Sequence, residues 1–463
     1  MKKGKIIAIG GLVIVAAGVA GYNLVNKTPD SSLSSSEKIS QIITDGGCVS
    51  CHSANPELPF YSKMPVAGKI VKKDVDSAYK AFDIEPFINA IANGEAPNEV
   101  DLAKIEKVVL DKTMSPAKYY LVHWGSSMTS SKTDMMISEI ANVREKFFEN
   151  SLASAEFKNE PIRPIPNSIP VDSSKVLLGE MLYHDTRLSA DGSVSCASCH
   201  GIQTGGVDNK RYSEGINKQL GGVNAPTVFN ACFNFVQFWD GRANTLAEQA
   251  GGPPLNPVEM GSASFDEIVE RLKADKDFDK MFTEIYAEGL SQHTITDAIE
   301  QYEKTLVTPN SAFDKYLKGE KDALTAQEIN GYKIFKDNKC ATCHAGVNMG
   351  GLTYELMGVK DNYFAKRQIK RNTGLTDGDN GRFAQTKIER DRFRFKTPGL
   401  RNIALTAPYF HDGDIETLEE AILEMGKNQS GKDLAPNEVD DIKAFLNTLT
   451  GEYKGVKLTN TNL

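Results

Sequence analysis

Six of the chain's seven cysteines fall into three i, i+3 pairs, and a histidine follows each pair directly: Cys48/Cys51/His52, Cys196/Cys199/His200 and Cys340/Cys343/His344. The 463 residues contain only seven histidines, so composition does not explain the coincidence. A zinc centre needs four ligands, and these pairs lie far apart in sequence with no fourth partner beside them. A disulfide across each pair would leave the histidine unexplained. Covalent haem c accounts for both residue types. On one helical turn i and i+3 share a face, so both sulfurs reach the vinyl edge of one porphyrin while the next imidazole meets the iron. The seventh cysteine, Cys232, lies in the apolar run NACFNFVQF and reads as a small buried hydrophobe.

Three such groups need elements to hold them. The motifs recur at intervals of about 145 residues, which divides the body into three units of ordinary domain size. The stretches between them carry helical periodicity. In NEVDLAKIEKVVL the apolar positions Val100, Leu102, Ile105 and Val109 fall on one helical face, and HTITDAIEQYEKTLV and APNEVDDIKAFLNTL behave likewise. Thr325 with Glu328, and Thr417 with Glu420, have capping-box spacing. No run of alternating strands is evident, so the fold class is mainly α. Gly-, Asn- and Pro-rich stretches over residues 201–257 and 346–408 predict long loops wrapping the haems. The proline-rich NEPIRPIPNSIP reads as a joint between the first and second units, and a second joint is expected near Pro309.

At the N-terminus, Lys2, Lys3 and Lys5 precede an apolar run over residues 6–25, long enough to span a bilayer as one helix. Its length favours an uncleaved anchor over a signal peptide, and either reading exports the body. A polar, Ser-rich tether follows. A net charge of −8, from 53 basic and 61 acidic residues, argues against nucleic acid as a partner.

Longer stretches carry a resemblance. LLGEMLYHDTRLSADGSVSCASCHG, NAPTVFN, FWDGRANTLAEQA, NPVEM and LRNIALTAPYFHDG, with LEEAILEM behind the last, resemble the bacterial dihaem cytochrome c peroxidases from about Pro164 to Leu449. CVSCHSANPELPFYSKMP through DKTMSPAKYYLVHW resembles a small haem-binding domain. Together with the anchor, the whole chain resembles the tri-haem quinol peroxidases of the bacterial envelope. This implies a transmembrane anchor (1–26), a tether (27–40), an N-terminal haem-binding domain (41–158), a peroxidatic haem domain (159–309) and an electron-transfer haem domain (310–463).

The sixth iron ligand decides whether a haem carries electrons or reacts, since a thioether there closes the iron and raises its potential. On spacing alone Met425, which shares a face with Leu418, Ala421 and Ile422, is a core methionine. The resemblance makes it the ligand opposite His344. For the first haem, with His52, it favours Met114, with Met64 and Met128 as competitors. On the second haem the resemblance assigns Glu259 to proton transfer and Gln249 to orienting peroxide, the two tasks that splitting the O–O bond requires. Many relatives hold a histidine on that iron eight residues before the Asn of NAPTVFN. The matching residue here is Ile216, and no histidine occurs between His200 and His293. The expectation is an iron open at rest. Trp239 matches a tryptophan between the two haems, as relay or as packing, and His411 a position near the C-terminal haem. His123, His184 and His293 read as surface or structural residues. The resemblance also implies one calcium ion held by the Asn224 side chain and the carbonyls of Thr406 and Pro408, an all-oxygen set.

The reading is therefore a single-pass protein of a bacterial inner membrane with its body in the periplasm. It reduces hydrogen peroxide with electrons from a membrane quinol, or from a soluble cytochrome c, passed through three haems c. Two rivals remain. One is a pure electron-transfer cytochrome. The other is the dihaem oxygenase that completes tryptophan-derived cofactors, which has a tyrosine where Met425 stands.

Overall fold

A computed structural model describes residues 15–120, 122–371 and 374–459, and the chain divides into two compact units, 1–149 and 150–463. Part of the expected anchor, residues 1–14, lies outside the described residues. Residues 15–25 are helical and exposed, and among the described residues no helix is long and apolar enough to cross a membrane.

The first unit is built from the helices Ser35–Asp45, Pro65–Ala81, Glu85–Ala92, Glu99–Leu110 and Ser130–Phe147. Ser34 caps the first of these, its hydroxyl accepting from the Glu37 N–H while the Glu37 carboxylate accepts from the Ser34 N–H. The periodic residues Val100, Leu102, Ile105 and Val109 are all buried on Glu99–Leu110. Leu102, Ile105 and Val109 join Ile39, Phe87 and Ile140 in one core, where each fully buried aliphatic side chain contributes about 1.5–3 kcal/mol. Arg144 clamps Glu106 with two bonds of 2.8 and 2.6 Å, tying Ser130–Phe147 to Glu99–Leu110.

The second unit repeats one device twice. Helix Ser173–Tyr183 crosses Gln292–Glu303 so closely that a Cβ on Gly179 would lie 1.9 Å from the Ala298 carbonyl oxygen. Helix Ala326–Asp337 crosses Pro436–Asn447 in the same way, with Gly331 at 1.9 Å from the Asp441 carbonyl oxygen. In each pair the first helix precedes a Cys-x-x-Cys-His motif. The Thr325/Glu328 capping box forms in full. At Thr417 the hydroxyl accepts from the Glu420 N–H and no return bond occurs among the described residues.

The proline-rich stretch is not a free joint. The division between the units falls before it, and Ile162 and Ile165 are fully buried. The Gly346 N–H, beside the third motif, bonds the Pro161 carbonyl at 2.8 Å. Arg401, fully buried, pairs with buried Asp314 at 2.9 Å and donates to the Arg163 carbonyl, locking the stretch against the C-terminal half. Two short antiparallel ladders occur that periodicity did not announce. Tyr354–Leu356 pairs with Arg394–Lys396, and Glu452–Tyr453 with Val456–Lys457.

Candidate active site

Each cysteine pair sits on one tight turn, but only the second motif forms the expected α-helical one, Cys196–Cys199. The first is a turn closed by the Cys51 N–H on the Cys48 carbonyl at 3.2 Å. At the third motif the expectation of one helical turn carrying both sulfurs is corrected. A 3-10 turn spans Cys340–Thr342 and ends before Cys343, which caps it with its N–H on the Cys340 carbonyl at 3.2 Å. Lys339, just ahead of the motif, has a positive φ of 66°. Three residues per turn superpose i on i+3, so Cys340 and Cys343 still share a side. Cys343 is half-buried, its Sγ 3.9 Å from the Thr342 hydroxyl. All six motif cysteines, Cys343 among them, are free of disulfides, as thioether attachment requires.

The histidine N–H returns to the carbonyl of the first cysteine, His52 to Cys48, His200 to Cys196 and His344 to Cys340, each at 3.0 Å. Burial pushes the Cys48 thiol up to about 11, and the Cys196 and Cys340 thiols to about 12. Burial also lowers the pKa of all three histidines, keeping the imidazoles neutral. His52 Nδ1 lies 3.0 Å from the Phe82 carbonyl and His344 Nδ1 3.0 Å from the Met349 carbonyl. A carbonyl only accepts, so the proton is on Nδ1 and the Nε2 lone pair is left for a metal. His200 is half-buried, and its enclosed Nδ1 has no such partner among the described residues. Near the third motif Lys396 is buried, its ammonium pulled down to about 8 by burial and unpartnered among the described residues. A buried cation of this kind suits a haem propionate. The donor set fits haem c.

Glu259 lies in the turn after Asn256, whose Nδ2 donates to its Oε1 at 2.8 Å. Burial raises its carboxyl pKa, with Arg242 and the Asn256 bond opposing. Its charge in turn raises the Cys199 thiol, so the carboxyl stands near the second motif. Ile216 is buried, and its N–H donates to the Glu259 carbonyl at 2.9 Å. Around it the 215–219 turn folds flat on the 257–259 segment. The Gln219 amide reaches the Pro257 carbonyl at 3.1 Å, and a Cβ on Gly215 would lie 2.0 Å from the Val258 carbonyl oxygen. Gln249 is half-buried on the short helix Leu246–Ala250, and its side-chain amide has no partner among the described residues. Sequence reasoning missed Asn256 and Arg242, although both stand in the quoted NPVEM and FWDGRA stretches.

Trp239 Nε1–H donates to the Asn224 carbonyl at 2.9 Å, and the Trp239 carbonyl accepts from the Lys396 N–H at 2.9 Å. Its indole meets the His411 ring edge-on at 6.4 Å. His411 stacks on Phe395 at 4.4 Å and bonds Asp379 at 2.8 Å, while Arg367 contacts both Asp379 and Asp412. Burial pushes the Asp379 carboxyl up, but bonds from His411, the Thr376 N–H and Arg367 outweigh it and hold it below the ordinary carboxylate range. Asp379, His411 and Asp412 are close enough to share a metal ion, and Arg367 lies against both carboxylates there.

The three expected calcium donors are free oxygens. Asn224 Nδ2 donates to the Lys210 carbonyl at 2.9 Å, and Asn209 takes the carbonyls of Leu405 and Ala407 at 2.9 and 3.0 Å. Among the described residues no donor reaches Asn224 Oδ1 or the intervening Thr406 and Pro408 carbonyls, a set that fits a hard cation.

Met425 ends the helix Leu418–Met425, half-buried, on the face whose Leu418, Ala421 and Ile422 enter the C-terminal core. Met114 is 39% exposed, and the Ser115 hydroxyl holds its segment to the Gly46 carbonyl, beside Cys48, at 2.8 Å. Met64 caps Pro65–Ala81 and Met128 packs on the first unit's core. His184 and His293 are exposed. His123 is held by two tyrosines.

Residues 173–322 match the family described as di-haem cytochrome c peroxidase, and residues 11–142 match a haem-binding domain. The chain is 45% identical over 456 residues to cytochrome c peroxidase Ccp of Escherichia coli, covering 96% of both chains. It is 44% identical to cytochrome c551 peroxidase of Pseudomonas aeruginosa over 66% of this chain and 87% of that one. A solved MauG-like protein associated with microbial copper homeostasis is 30% identical, with a TM-score of 0.55 over 63% of this chain and 94% of that one. The three Cys-x-x-Cys-His turns and these matches agree: the chain belongs to the di-haem cytochrome c peroxidase family, extended by a haem-binding domain, and is a peroxidase that reduces hydrogen peroxide with haem c.

Proposed function

We propose that the protein is a membrane-anchored quinol peroxidase of the bacterial periplasm carrying three haems c. Cys48, Cys51 and His52 would hold the haem that receives the electrons, Cys340, Cys343, His344 and Met425 one that relays them, and Cys196, Cys199 and His200 the one that supplies the iron for peroxide reduction. Met114 would hold the first haem together with His52. The bound haem supplies the iron at which the O–O bond is split. Glu259 takes the proton from the inner peroxide oxygen and returns it to the outer one, while the free Gln249 amide orients the substrate. Trp239 stands between the paired haems, and one calcium ion on Asn224, Thr406 and Pro408 braces them.

The observation that carries this reading is the clasp between Ile216 and Glu259. The position that holds a closing histidine in many relatives is filled by an aliphatic residue whose backbone is bonded to the Glu259 carbonyl. That arrangement supports an iron with a vacant sixth position and an enzyme that needs no reductive activation. The apolar run over residues 6–25 supports the membrane quinol as donor.

The test is anaerobic turnover of the purified full chain with peroxide, comparing a quinol with reduced cytochrome c, alongside the ferric spectrum at rest. Faster turnover with quinol and a partly high-spin ferric spectrum are expected. Turnover with cytochrome c alone overturns the donor assignment, and a wholly low-spin resting spectrum overturns the open iron.

A further inference from the structure

The apolar N-terminal run ends against the first unit at one place. Asn26 is 6% exposed, its Nδ2 donates to the Trp124 carbonyl at 2.7 Å and its Oδ1 accepts from the Ser127 N–H at 3.1 Å. Around that anchor point large apolar side chains stand in the open. Trp124 is 62% exposed, Val122 65% and Phe60 76%. Sequence separates Phe60 from the other two, but Tyr61 and His123 join them, the Tyr61 hydroxyl lying 3.3 Å from His123 Nε2. Exposed apolar groups gathered around a tryptophan where an apolar helix ends are what a bilayer interface selects.

His123 is set up as a base. Its Nδ1 lies 3.2 Å from the Tyr119 carbonyl, which only accepts, so Nδ1 carries the proton and Nε2 presents a lone pair toward Tyr61. Tyr119 stacks on the imidazole at 3.9 Å and 15° and fixes the ring plane. The same tyrosine reaches the first haem motif, its hydroxyl 2.1 Å from where a Cβ on Gly47 would stand, one residue before Cys48. Tyr61 and Tyr119 both lie close to Cys51. A basic nitrogen, a phenol, an apolar rim and a haem attachment point therefore share one corner of the unit.

We propose that Tyr61, His123 and Tyr119 form the site at which the quinol binds and is oxidised. This rests on the quinol reading above and locates its donor. The quinol hydroxyl bonds the Tyr61 oxygen, while the apolar rim of Phe60, Val122 and Trp124 covers its ring and tail. As the first electron leaves for the first haem, the bound hydroxyl gives its proton to Tyr61, which passes its own to His123 Nε2 and so to water; as the second leaves, the other hydroxyl, on the open side of the ring, gives its proton directly to water. The two steps turn the quinol into quinone, and the two electrons and two protons released match those that convert one peroxide into two waters.

Tyr61→Phe and His123→Gln in the full chain test this, with His293→Gln as an exposed control. Haem content and the visible spectrum confirm folding. Reduction of the haems by a short-chain quinol is followed by anaerobic rapid mixing without peroxide, and turnover is compared between that quinol and a water-soluble dye. Both variants are expected to slow reduction by quinol about tenfold or more and to lower the ratio of quinol-driven to dye-driven turnover by the same factor. Trp124→Ser is expected to raise the KM for quinol with little change in kcat. Variants that quinol reduces at the wild-type rate overturn the site while leaving the donor reading standing. A wild type that quinol does not reduce overturns the donor reading and the site together.

Discussion

Replacing Glu259 by Gln keeps side-chain volume and an oxygen that accepts from Asn256 Nδ2, so the 2.8 Å bond and the turn that carries it survive. What disappears is the group that exchanges a proton. A positioned general acid–base contributes about 10²–10⁴-fold, equivalent to roughly 3–5 kcal/mol of barrier at 1.36 kcal/mol per decade. The wild-type carboxyl is raised by burial, so it must lose its proton before accepting one from peroxide, and activity falls as pH drops toward that raised value. The variant is expected to lose both rate and this acidic limb. Stability is expected to hold, because a neutral amide removes the cost of burying a charge. The assay is rapid mixing of the reduced enzyme with peroxide between about pH 5 and pH 8, with exposed Glu248→Gln as control. Oxidation of Glu259→Gln within threefold of wild type across that range, or with an unchanged acidic limb, refutes the assignment.

Two further outcomes follow from the same structure. Met425→Ala is expected to remove thioether ligation from one haem and lower its potential, read by a spectroelectrochemical titration in which the other haems stay put. Glu303 is buried, and burial raises its pKa to about 8 from 4.5. Between those values the folded state keeps a proton that the unfolded state has lost, so stability falls as pH rises through the window and levels off above it. The loss is at most about 4–5 kcal/mol, and Glu303→Gln is expected to flatten denaturant-derived stability between about pH 5 and pH 9.

Much of this was legible in the sequence where a physical period or a covalent requirement wrote it there. The Cys-x-x-Cys-His turns, the helix Glu99–Leu110 with its buried stripe and the Thr325 cap all appear where spacing placed them. The winding of those turns was not legible, because i, i+3 spacing suits an α turn at Cys196–Cys199 and a 3-10 turn ending ahead of Cys343 equally well. Other features left no period to read. Strands as short as Glu452–Tyr453 are below the length at which alternation shows. The matched crossings at Gly179 and Gly331 are a repeat, Gly-x-x-Leu-Tyr against Gly-x-x-Ile-Phe, but the two glycines stand at different distances from their motifs, which hid them. The proline-rich stretch looked like a linker by composition, while its buried Ile162 and Ile165 are core residues that composition could not weigh.

The middle motif shows where sequence and structure contribute different halves of one inference. Sequence supplied an absence, the missing histidine at Ile216, and an absence alone leaves a loop free to bring some other group to the iron. The structure supplies what holds the loop. Ile216 bonds the backbone of the proposed base, Gln219 bonds Pro257, and Gly215 fits flush only because it lacks a side chain. Pulling the turn away would break those bonds and expose an apolar side chain that is 7% accessible, at a cost of about 1.5–3 kcal/mol for the side chain alone. In the proposed reading the missing histidine and the positioned carboxyl are one arrangement, because the turn that carries Ile216 is bonded to the segment that carries Glu259.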